Sequence, residues 1–241
     1  MKIIILKNKE EISIKIALIL YNEIRKNPSI ILGLATGNTI KFIYQELSEI
    51  NWKKPANFSQ ITTFNLDEYV INKKKYLLRE FMKHYFFKPL KIKKEQVHFL
   101  TNGRNPKKTC RNYEKSIYEI GGIDLQLLGI GRNGHIAFNE PGSNINSRCR
   151  VVDLHNITRE DAIKTFQSLE KVPKKAMTLG VRNILEARKI IMVAFGKNKA
   201  KAVNEMVNGK LSNKIPASFL RKHKNVIVFL DEDAGSLLKV N

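Results

Sequence analysis

Short apolar runs along the chain alternate with longer segments in which apolar residues recur every three to four positions. The short runs have the length of strands, and the longer segments have the periodicity of amphipathic helices. Strands are therefore predicted at about 2–6, 29–34, 61–64, 124–130, 189–195 and 226–230. Helices are predicted at about 10–26, 39–49, 77–87 and 197–207.

This alternation predicts an α/β fold, with a mostly parallel sheet flanked by helices. The run after Asp124 is continuously apolar, as expected for a strand covered on both faces. Because no Gly/Ser-rich linker or internal repeat interrupts the pattern, we expect residues 1–241 to form a single domain. In such sheets, ligands bind beyond the carboxyl ends of the strands. Candidate binding and catalytic residues are therefore expected in the loops at those ends.

The composition, 43% hydrophobic and 27% charged, is typical of a soluble globular protein. The longest apolar runs are strand-sized, and no signal peptide is recognised before the first strand, so we expect a cytoplasmic protein with no membrane partner. Cys110 and Cys149 are far apart in sequence; a disulfide between them is conceivable, but reduced thiols are the favoured interpretation. No Cys or His spacing indicates a metal site.

The net charge of +21 raises the alternative of a nucleic-acid-binding protein. The excess is spread over the whole chain, however, and comes from 32 Lys against only 11 Arg. Dedicated nucleic-acid surfaces tend to use the arginine fork to bind phosphate and guanine. We therefore expect a lysine-rich solvated surface and no nucleic-acid partner.

The loop after the second predicted strand contains Thr36, Gly37, Asn38 and Thr39 at the start of a predicted helix. Free N–H groups and the positive end of the helix dipole favour anion binding at such a position. This predicts a phosphate-binding loop. The alternative is an ordinary strand–turn–helix junction in which Thr39 is the helix N-cap, and the loop by itself favours neither.

Two adjacent acids, Asp67 and Glu68, follow the third predicted strand. A carboxylate partly removed from water becomes a stronger proton acceptor, because its charged form is disfavoured there. The alternative is that one of these acids only caps the next helix. From this loop alone, that alternative is favoured.

The loop after the most apolar strand surrounds His135 with Gly129, Gly131 and Gly134. Glycine allows tight turns and close approach of the backbone to a ligand. Histidine titrates near neutrality and can both accept and donate a proton. Glu140, five residues later, is placed to orient the imidazole and to stabilise its charged form. The combination favours a catalytic histidine over a structural one.

In this order, the three loops resemble those of glucosamine-6-phosphate deaminases, which carry close variants of Gly-Leu-Pro-Thr-Gly, Thr-Phe-Asn-Met-Asp-Glu-Tyr and Asn-Gly-His-Ile-Ala-Phe-Asn-Glu-Pro. The similarity continues through 147–151, 172–181, 196–200 and 216–220, so it spans nearly the whole chain. It implies a Rossmann-like sugar-phosphate isomerase fold. It also implies conversion of glucosamine 6-phosphate and water to fructose 6-phosphate and ammonia, with no cofactor and no metal.

The resemblance implies a role for each matching residue. Asp67 corresponds to the base that moves a proton between C2 and C1, and His135 to the residue that opens the sugar ring. Glu140 is then the partner of His135, and Asn133 occupies a supporting catalytic position. Residues 36–39 correspond to the phosphate loop and Lys199 to a phosphate-binding lysine.

The chain departs from the family pattern at several positions. Ala35 and Ile40 stand where many relatives have proline, and the segment 71–78 lacks a Ser-Tyr stretch and is about two residues shorter. Lys164 stands in the segment where relatives place a phosphate-binding arginine; it keeps the charge without the bidentate fork. These departures leave the preferred amino sugar phosphate open. The chain ends soon after its last strand, which resembles the short, non-allosteric relatives, so a monomer or small homo-oligomer is expected.

Two alternatives remain open. A 6-phosphogluconolactonase-like hydrolase has the same fold and a related Gly-His loop, but its ester hydrolysis needs no base for a carbon acid. A non-catalytic regulator that binds sugar phosphates is the second alternative. The presence of Asp67, His135 and Glu140 together favours an amino sugar phosphate isomerase over both.

Overall fold

Parallel strands form the central sheet of the protein in the computed structural model, which describes residues 1–71, 77–101 and 105–238. Within these residues the chain forms ten strands: β1 (Lys2–Leu6), β2 (Ile31–Leu34), β3 (Thr62–Asn65), β4 (Asp67–Tyr69), β5 (Val97–His98), β6 (Leu125–Gly129), β7 (Arg150–Asp153), β8 (Lys175–Thr178), β9 (Lys189–Ala194) and β10 (Val226–Asp231). Seven of them form one sheet in the order β1-β10-β9-β6-β2-β3-β5, and every pair is parallel. The predicted α/β fold with a mostly parallel sheet is therefore confirmed.

Helices cover this sheet and connect its strands. The α-helices of the described chain are α1 (Lys9–Lys26), α2 (Asn38–Lys53), α3 (Leu77–Met82), α4 (Pro106–Glu119), α5 (Asn156–Phe166), α6 (Val181–Leu185), α7 (Ala200–Val207) and α8 (Glu232–Gly235). A π-helical turn, Lys83–Phe87, extends α3, and short 3-10 helices span Lys94–Gln96, Lys197–Lys199 and Pro216–Lys222. Among these helices, none has the length and apolar character that crossing a lipid bilayer requires.

The first helix shows how local sequence sets the ends of these elements. The Asn8 side chain accepts a hydrogen bond from the Glu11 N–H (2.9 Å) and so satisfies one of the free donors at the start of α1. Glu10 and Glu11 lie in its first turn, and Arg25 and Lys26 in its last, which complements the helix dipole. Ile12, Ile16, Leu20 and Ile24, which lie along one face of the helix, are buried.

The order of the strands places a crevice between β2 and β6. The chain runs outward from β2 through β3 to β5, and in the other direction from β6 through β9 to β10. β2 and β6 pair at only two positions, Leu32 with Leu125 and Gly33 with Gln126. Beyond them the two strands lead into separate loops. Ligands bind at such a switch point in open α/β sheets.

A second sheet, which the sequence analysis did not predict, covers one side of this crevice. It contains β4, β8 and β7 in that order, and both pairs are antiparallel. Tyr69, Phe138, Leu154 and Ala176 form a small apolar cluster beneath it, separate from the main core. Its first strand begins with Asp67, one of the candidate catalytic residues.

Close backbone packing fixes the small sheet to the loop before β7. Gly180, just after β8, lies so near the backbone of Ser147 that a Cβ on it would overlap the Ser147 carbonyl group. The Arg182 N–H donates to the same carbonyl oxygen (3.0 Å). A larger residue at position 180 therefore requires a shift of backbone, which is more costly than a side-chain rotation.

We expect Gly180→Ala to lower the free energy of unfolding by about 2–3 kcal/mol, because the added methyl group has no space. Gly129→Ala is the matched control, since a Cβ there meets no atom within 4 Å. Its effect should stay within about 0.5 kcal/mol. Urea denaturation followed by circular dichroism measures both, and equal stability of the two variants would contradict this description of the packing.

Candidate active site

A cleft of about 620 Å³ opens at the carboxyl ends of the parallel strands. All three loops singled out in the sequence line it, together with residues of α3, α5 and the 3-10 helix Lys197–Lys199. The predicted site residues that line it are Thr36, Gly37, Asn38, Thr39, Asp67, His135, Lys164 and Lys199. The remaining two, Asn133 and Glu140, lie behind His135 and contact it.

Asp67 is the most unusual ionisable group in the cleft. It is only 7% exposed, and among the described residues its carboxylate has neither a hydrogen-bond donor nor a cationic partner. Burial raises the pKa of Asp67 to about 8, and the neighbouring charge of Glu68 contributes to the rise. A carboxyl group in this environment holds a proton near neutrality and accepts one strongly when it is ionised.

Glu68 has a different role, although it is adjacent to Asp67. Successive residues of a strand point to opposite faces, and Glu68 points away from the cleft and is fully buried. Its carboxylate accepts hydrogen bonds from the backbone N–H groups of Tyr69 (2.9 Å), Leu78 (3.2 Å) and Arg79 (3.1 Å). Burial raises the pKa of Glu68, and these backbone donors oppose the rise. The helix-capping alternative therefore describes Glu68, whereas Asp67 faces the cleft.

The imidazole of His135 lies against the backbone of Gly131. A Cβ at position 131 would overlap the ring, so glycine is required there for the ring to adopt this position. The Gly131 N–H donates to the His135 carbonyl (2.9 Å), which closes a tight turn around the histidine. The side chain keeps 16% of its surface exposed, and this surface faces the cleft.

Asn133 connects His135 to Glu140. Its Oδ1 lies 2.7 Å from His135 Nδ1 and also accepts the His135 backbone N–H (3.2 Å), while its Nδ2 donates to Glu140 Oε2 (2.8 Å). Glu140 Oε2 lies 3.6 Å from the imidazole nitrogen. With an amide oxygen facing Nδ1, that nitrogen carries the hydrogen, so Nε2 is left as the proton acceptor.

The pKa of Glu140 moves in the opposite direction from that of Asp67. Burial alone would raise it, but the hydrogen bond and charge of His135 outweigh burial, with further hydrogen bonds from Thr158 and Asn133. Together they lower the pKa of Glu140 to about 2. Glu140 is therefore a permanent anion behind the histidine.

Cationic and amide groups line another part of the cleft. Gly37, with φ of 112°, is the N-cap of α2 and provides no side-chain cap, so the first N–H groups of this helix remain available to a ligand. The ammonium of Lys199 is close enough to Asp161 and Arg132 to interact with both charges. Burial is the main cause that lowers the pKa of Lys199; Arg132 adds to this and Asp161 opposes it. Lys164 also lines the cleft, but it is exposed.

Several contacts at the site were not predicted from the sequence. α5 brings Thr158 to within 3.2 Å of His135 Nδ1, and its Asp161 pairs with Arg132 Nε (2.7 Å). Arg150 donates to Asn139 Oδ1 (2.9 Å), next to Glu140 in the chain. α5 lacks a clear apolar periodicity, and its buried residue is the polar Thr158, so hydrophobic pattern did not reveal it. The altered stretch 72–76 lies outside the described residues.

The comparisons with known proteins agree over nearly the whole chain. A family model described as glucosamine-6-phosphate isomerases/6-phosphogluconolactonase matches residues 9–229. A glucosamine-6-phosphate deaminase of Thermoanaerobacter sp. strain X514 is 44% identical over 244 residues, which cover 99% of this chain and 95% of that protein. One of Clostridium perfringens strain SM101 is 42% identical over 243 residues, covering 99% and 100%.

Solved structures extend the same similarity to the fold. A monomeric glucosamine-6-phosphate deaminase superposes with a TM-score of 0.95 at 38% identity, covering 98% of this chain and 100% of that one. A 6-phosphogluconolactonase from Trypanosoma cruzi reaches a TM-score of 0.77 at 23% identity over 99% and 97%. At that identity, the second likeness concerns the fold alone.

The carboxyl groups of Asp67 and Glu140 should affect stability with opposite pH dependence. The pKa of Asp67 is raised from 3.8 to about 8, so its favourable contribution is complete below about pH 4 and is lost as pH rises through 8. Asp67→Asn, which cannot ionise, should therefore gain stability relative to the wild type between pH 5 and 9, by on the order of a few kcal/mol.

Glu140→Gln should show the reverse. The pKa of Glu140 is lowered from 4.5 to about 2, so its contribution is present above about pH 4.5 and disappears as pH falls towards 2. The variant should be less stable than the wild type at pH 7, and this deficit should shrink on acidification. Denaturant titrations across the pH range measure both differences, and parallel curves for the two variants would refute the opposite environments.

Proposed function

Because the chain belongs to the glucosamine-6-phosphate isomerase/6-phosphogluconolactonase family, we propose that it is a glucosamine-6-phosphate deaminase. It converts glucosamine 6-phosphate and water to fructose 6-phosphate and ammonia, an isomerisation coupled to deamination. Full-length similarity to proteins of that name supports the assignment. The observation that carries it is the buried Asp67 carboxyl, which has no cationic partner among the described residues and shares a cleft with His135.

An amino sugar supplies the cationic partner that Asp67 lacks among the described residues. Without a ligand, burial keeps the carboxyl protonated around neutrality, because none of the described residues places a cation beside the anion. The ammonium group on C2 of glucosamine 6-phosphate provides such a cation next to the carboxylate. Substrate binding thereby favours the ionised form of Asp67, which is the form that acts as a base. A neutral lactone offers no such compensation.

The phosphate group is bound by the cationic part of the cleft. The N-terminal N–H groups of α2, the side chains of Thr36, Asn38 and Thr39, and the ammonium of Lys199 provide donors for its oxygens. A dianion beside Lys199 also removes the electrostatic penalty that burial places on its charge. Lys164 adds a weaker, solvent-screened attraction. The phosphate fixes the sugar, so that its reacting carbons face the catalytic groups.

His135 opens the sugar ring. Its Nε2 takes the proton from the O1 hydroxyl, and the imidazolium returns a proton to the ring oxygen as the C1–O5 bond breaks. Glu140, held ionised behind Asn133, stabilises the intermediate imidazolium. The product of this step is the open-chain aldehyde of the same substrate, so atoms and charge are conserved.

Asp67 then moves a proton from C2 to C1. It removes the C2 proton while, in net, one proton passes from the C2 ammonium group to O1, which gives a neutral enolamine. The protonated Asp67 then delivers its proton to C1, which leaves an iminium at C2. Water adds to this iminium, and ammonia departs to give the ketone. The C2 proton is weakly acidic, so its removal requires a strong base held close to it in a site shielded from water. Asp67 meets that requirement.

The two alternatives have less support. A lactonase has no step that requires a buried base for a carbon acid, and the solved lactonases resemble this chain in fold alone. A regulator that only binds sugar phosphates does not require the His135–Asn133–Glu140 relay. We further propose that the protein acts in the cytoplasm as a monomer on a small sugar phosphate, without a nucleic-acid or membrane partner. The similarity to a monomeric deaminase supports the oligomeric state.

Replacing Asp67 with Asn should abolish proton exchange at C2 while leaving substrate binding within about threefold, because the amide keeps the shape of the carboxyl but is no base. Exchange is measured in deuterium oxide by the loss of the C2 proton signal of glucosamine 6-phosphate. Binding is measured by calorimetry. His135→Gln is the matched control, since exchange should persist there when the open-chain form is supplied by spontaneous ring opening. Exchange at the wild-type rate in Asp67→Asn would exclude Asp67 as the base.

The two cleft lysines should differ in their contribution to phosphate binding. Lys199→Ala should raise KM roughly 10- to 100-fold, as expected for a partly buried charge-assisted hydrogen bond, and change kcat little. Lys164→Ala should raise KM only about threefold, because its ammonium is exposed. Lys197→Ala, at an exposed position two residues from Lys199, is the control and should be silent. A larger effect at Lys164 than at Lys199 would reverse the assignment.

A further inference from the structure

The two cysteines, far apart in sequence, meet on one face of α4. Cys110 and Glu114 are one turn apart on this helix and so lie on the same face. The Glu114 carboxylate accepts a hydrogen bond from the backbone N–H of Cys149 (3.1 Å) and from Asn183 Nδ2 (2.7 Å). This holds the segment before β7 over the helix face that carries Cys110. The two thiols are close enough to interact with each other, and neither forms a disulfide.

The surroundings of the two thiols are unequal. Cys110 is buried, at 2% exposure, whereas Cys149 is partly exposed. The hydrogen bond from Cys149 is the main cause that lowers the pKa of Cys110, and the nearby Arg150 cation acts in the same direction. The same hydrogen bond, with burial, raises the pKa of Cys149. Cys110 is thus the thiol that ionises first, and thiolates are the reactive species in oxidation.

We propose that Cys110 and Cys149 form an oxidation site, at which hydrogen peroxide converts the two thiols into an intramolecular disulfide that joins α4 to the segment before β7. The closeness of two thiols from separate elements, combined with the partial exposure of Cys149, favours a bridge over isolated oxidation. The site uses neither substrate nor any residue of the cleft. It is therefore independent of the proposed function.

The reaction balances in two steps. The Cys110 thiolate attacks one peroxide oxygen, the O–O bond breaks, and Cys110 becomes a sulfenic acid while hydroxide leaves. The Cys149 sulfur then attacks the Cys110 sulfur, the S–O bond breaks, and the departing hydroxide takes the Cys149 proton as water. The first hydroxide takes up the proton that Cys110 had released. In sum, two thiols and one peroxide give one disulfide and two waters.

The position of the bridge connects it to the active site. Arg150 follows Cys149 directly and donates to Asn139 Oδ1 (2.9 Å) and Ser143 Oγ (2.9 Å) in the loop that carries Glu140. On α4, Tyr113 donates to the Asn65 carbonyl (2.8 Å), just before β4. A disulfide at this place therefore joins two elements that each contact a different catalytic loop.

The test exposes the full-length reduced protein to increasing hydrogen peroxide, stops the reaction with catalase and alkylates the remaining thiols under denaturing conditions. We expect both thiols to be lost together, a monomer lighter by two hydrogen atoms, and a cross-linked peptide pair containing Cys110 and Cys149. Dithiothreitol should restore both thiols. Irreversible sulfinic acids, disulfide-linked dimers, or two thiols that persist when free cysteine is fully oxidised would each overturn the proposal.

Cys149→Ser and Cys110→Ser are the matched variants, each with one thiol left. In Cys149→Ser, Cys110 should stop at the sulfenic acid, which dimedone traps, and no bridge should form. Cys149 is partly exposed, so this variant should fold even if serine at the buried position 110 is not tolerated. A monomer lighter by two hydrogen atoms in Cys149→Ser would show that the loss of mass has another origin and would contradict the assignment.

Discussion

Burial of two adjacent carboxyl groups at the junction of the two sheets is the constraint on which the site depends. An ionised carboxylate is stable away from water only when hydrogen bonds or cations replace its hydration. Glu68 has three backbone N–H donors that meet this requirement and fix the start of α3. Asp67 has none among the described residues. The fold thus leaves one carboxyl group buried with its charge uncompensated, and that group faces the cleft.

The buried carboxylate of Glu140, by contrast, has partners that compensate its charge. Donors from Asn133, Thr158 and the His155 backbone surround its carboxylate, and the adjacent imidazole adds a compensating charge. The two environments separate the pKa values of two chemically similar groups, to about 8 and about 2. Such separation allows one site to hold a base and a permanent anion together. In the proposed mechanism, the base acts on carbon, while the anion stabilises a histidine that acts on oxygen.

The sequence predicted the central sheet because its strands are strongly apolar. The six predicted strands are all present within two residues of their expected bounds, as β1, β2, β3, β6, β9 and β10. The second sheet escaped prediction because β4, β7 and β8 are three or four residues long and rich in polar side chains. α5 was not predicted either, because a helix that covers a polar cleft needs no apolar stripe. Hydrophobic periodicity detects burial against a core and gives no indication of elements that cover a binding site.

The site residues were predicted by a different route. Resemblance to known sequences indicated their roles, whereas the loops alone left the acids at 67 and 68 indistinguishable. Successive side chains of β4 point to opposite faces, and this places Asp67 in the cleft and Glu68 at the start of α3. β4 was not among the predicted strands. Likewise, Glu140 was expected to contact His135 and does so, but the sequence did not show that Asn133 is also at hydrogen-bond distance from both. Such details depend on three-dimensional neighbours that sequence spacing does not encode.

The central claim is that burial, with no compensating cation in the described part of the chain, gives Asp67 its strength as a base. It is tested most directly by following the carboxyl carbon signals of the ligand-free protein by NMR during a pH titration, with Asp67→Asn identifying the relevant signal. The account predicts a midpoint near pH 8 for Asp67. A midpoint near 4, as for a solvent-exposed aspartate, would contradict it.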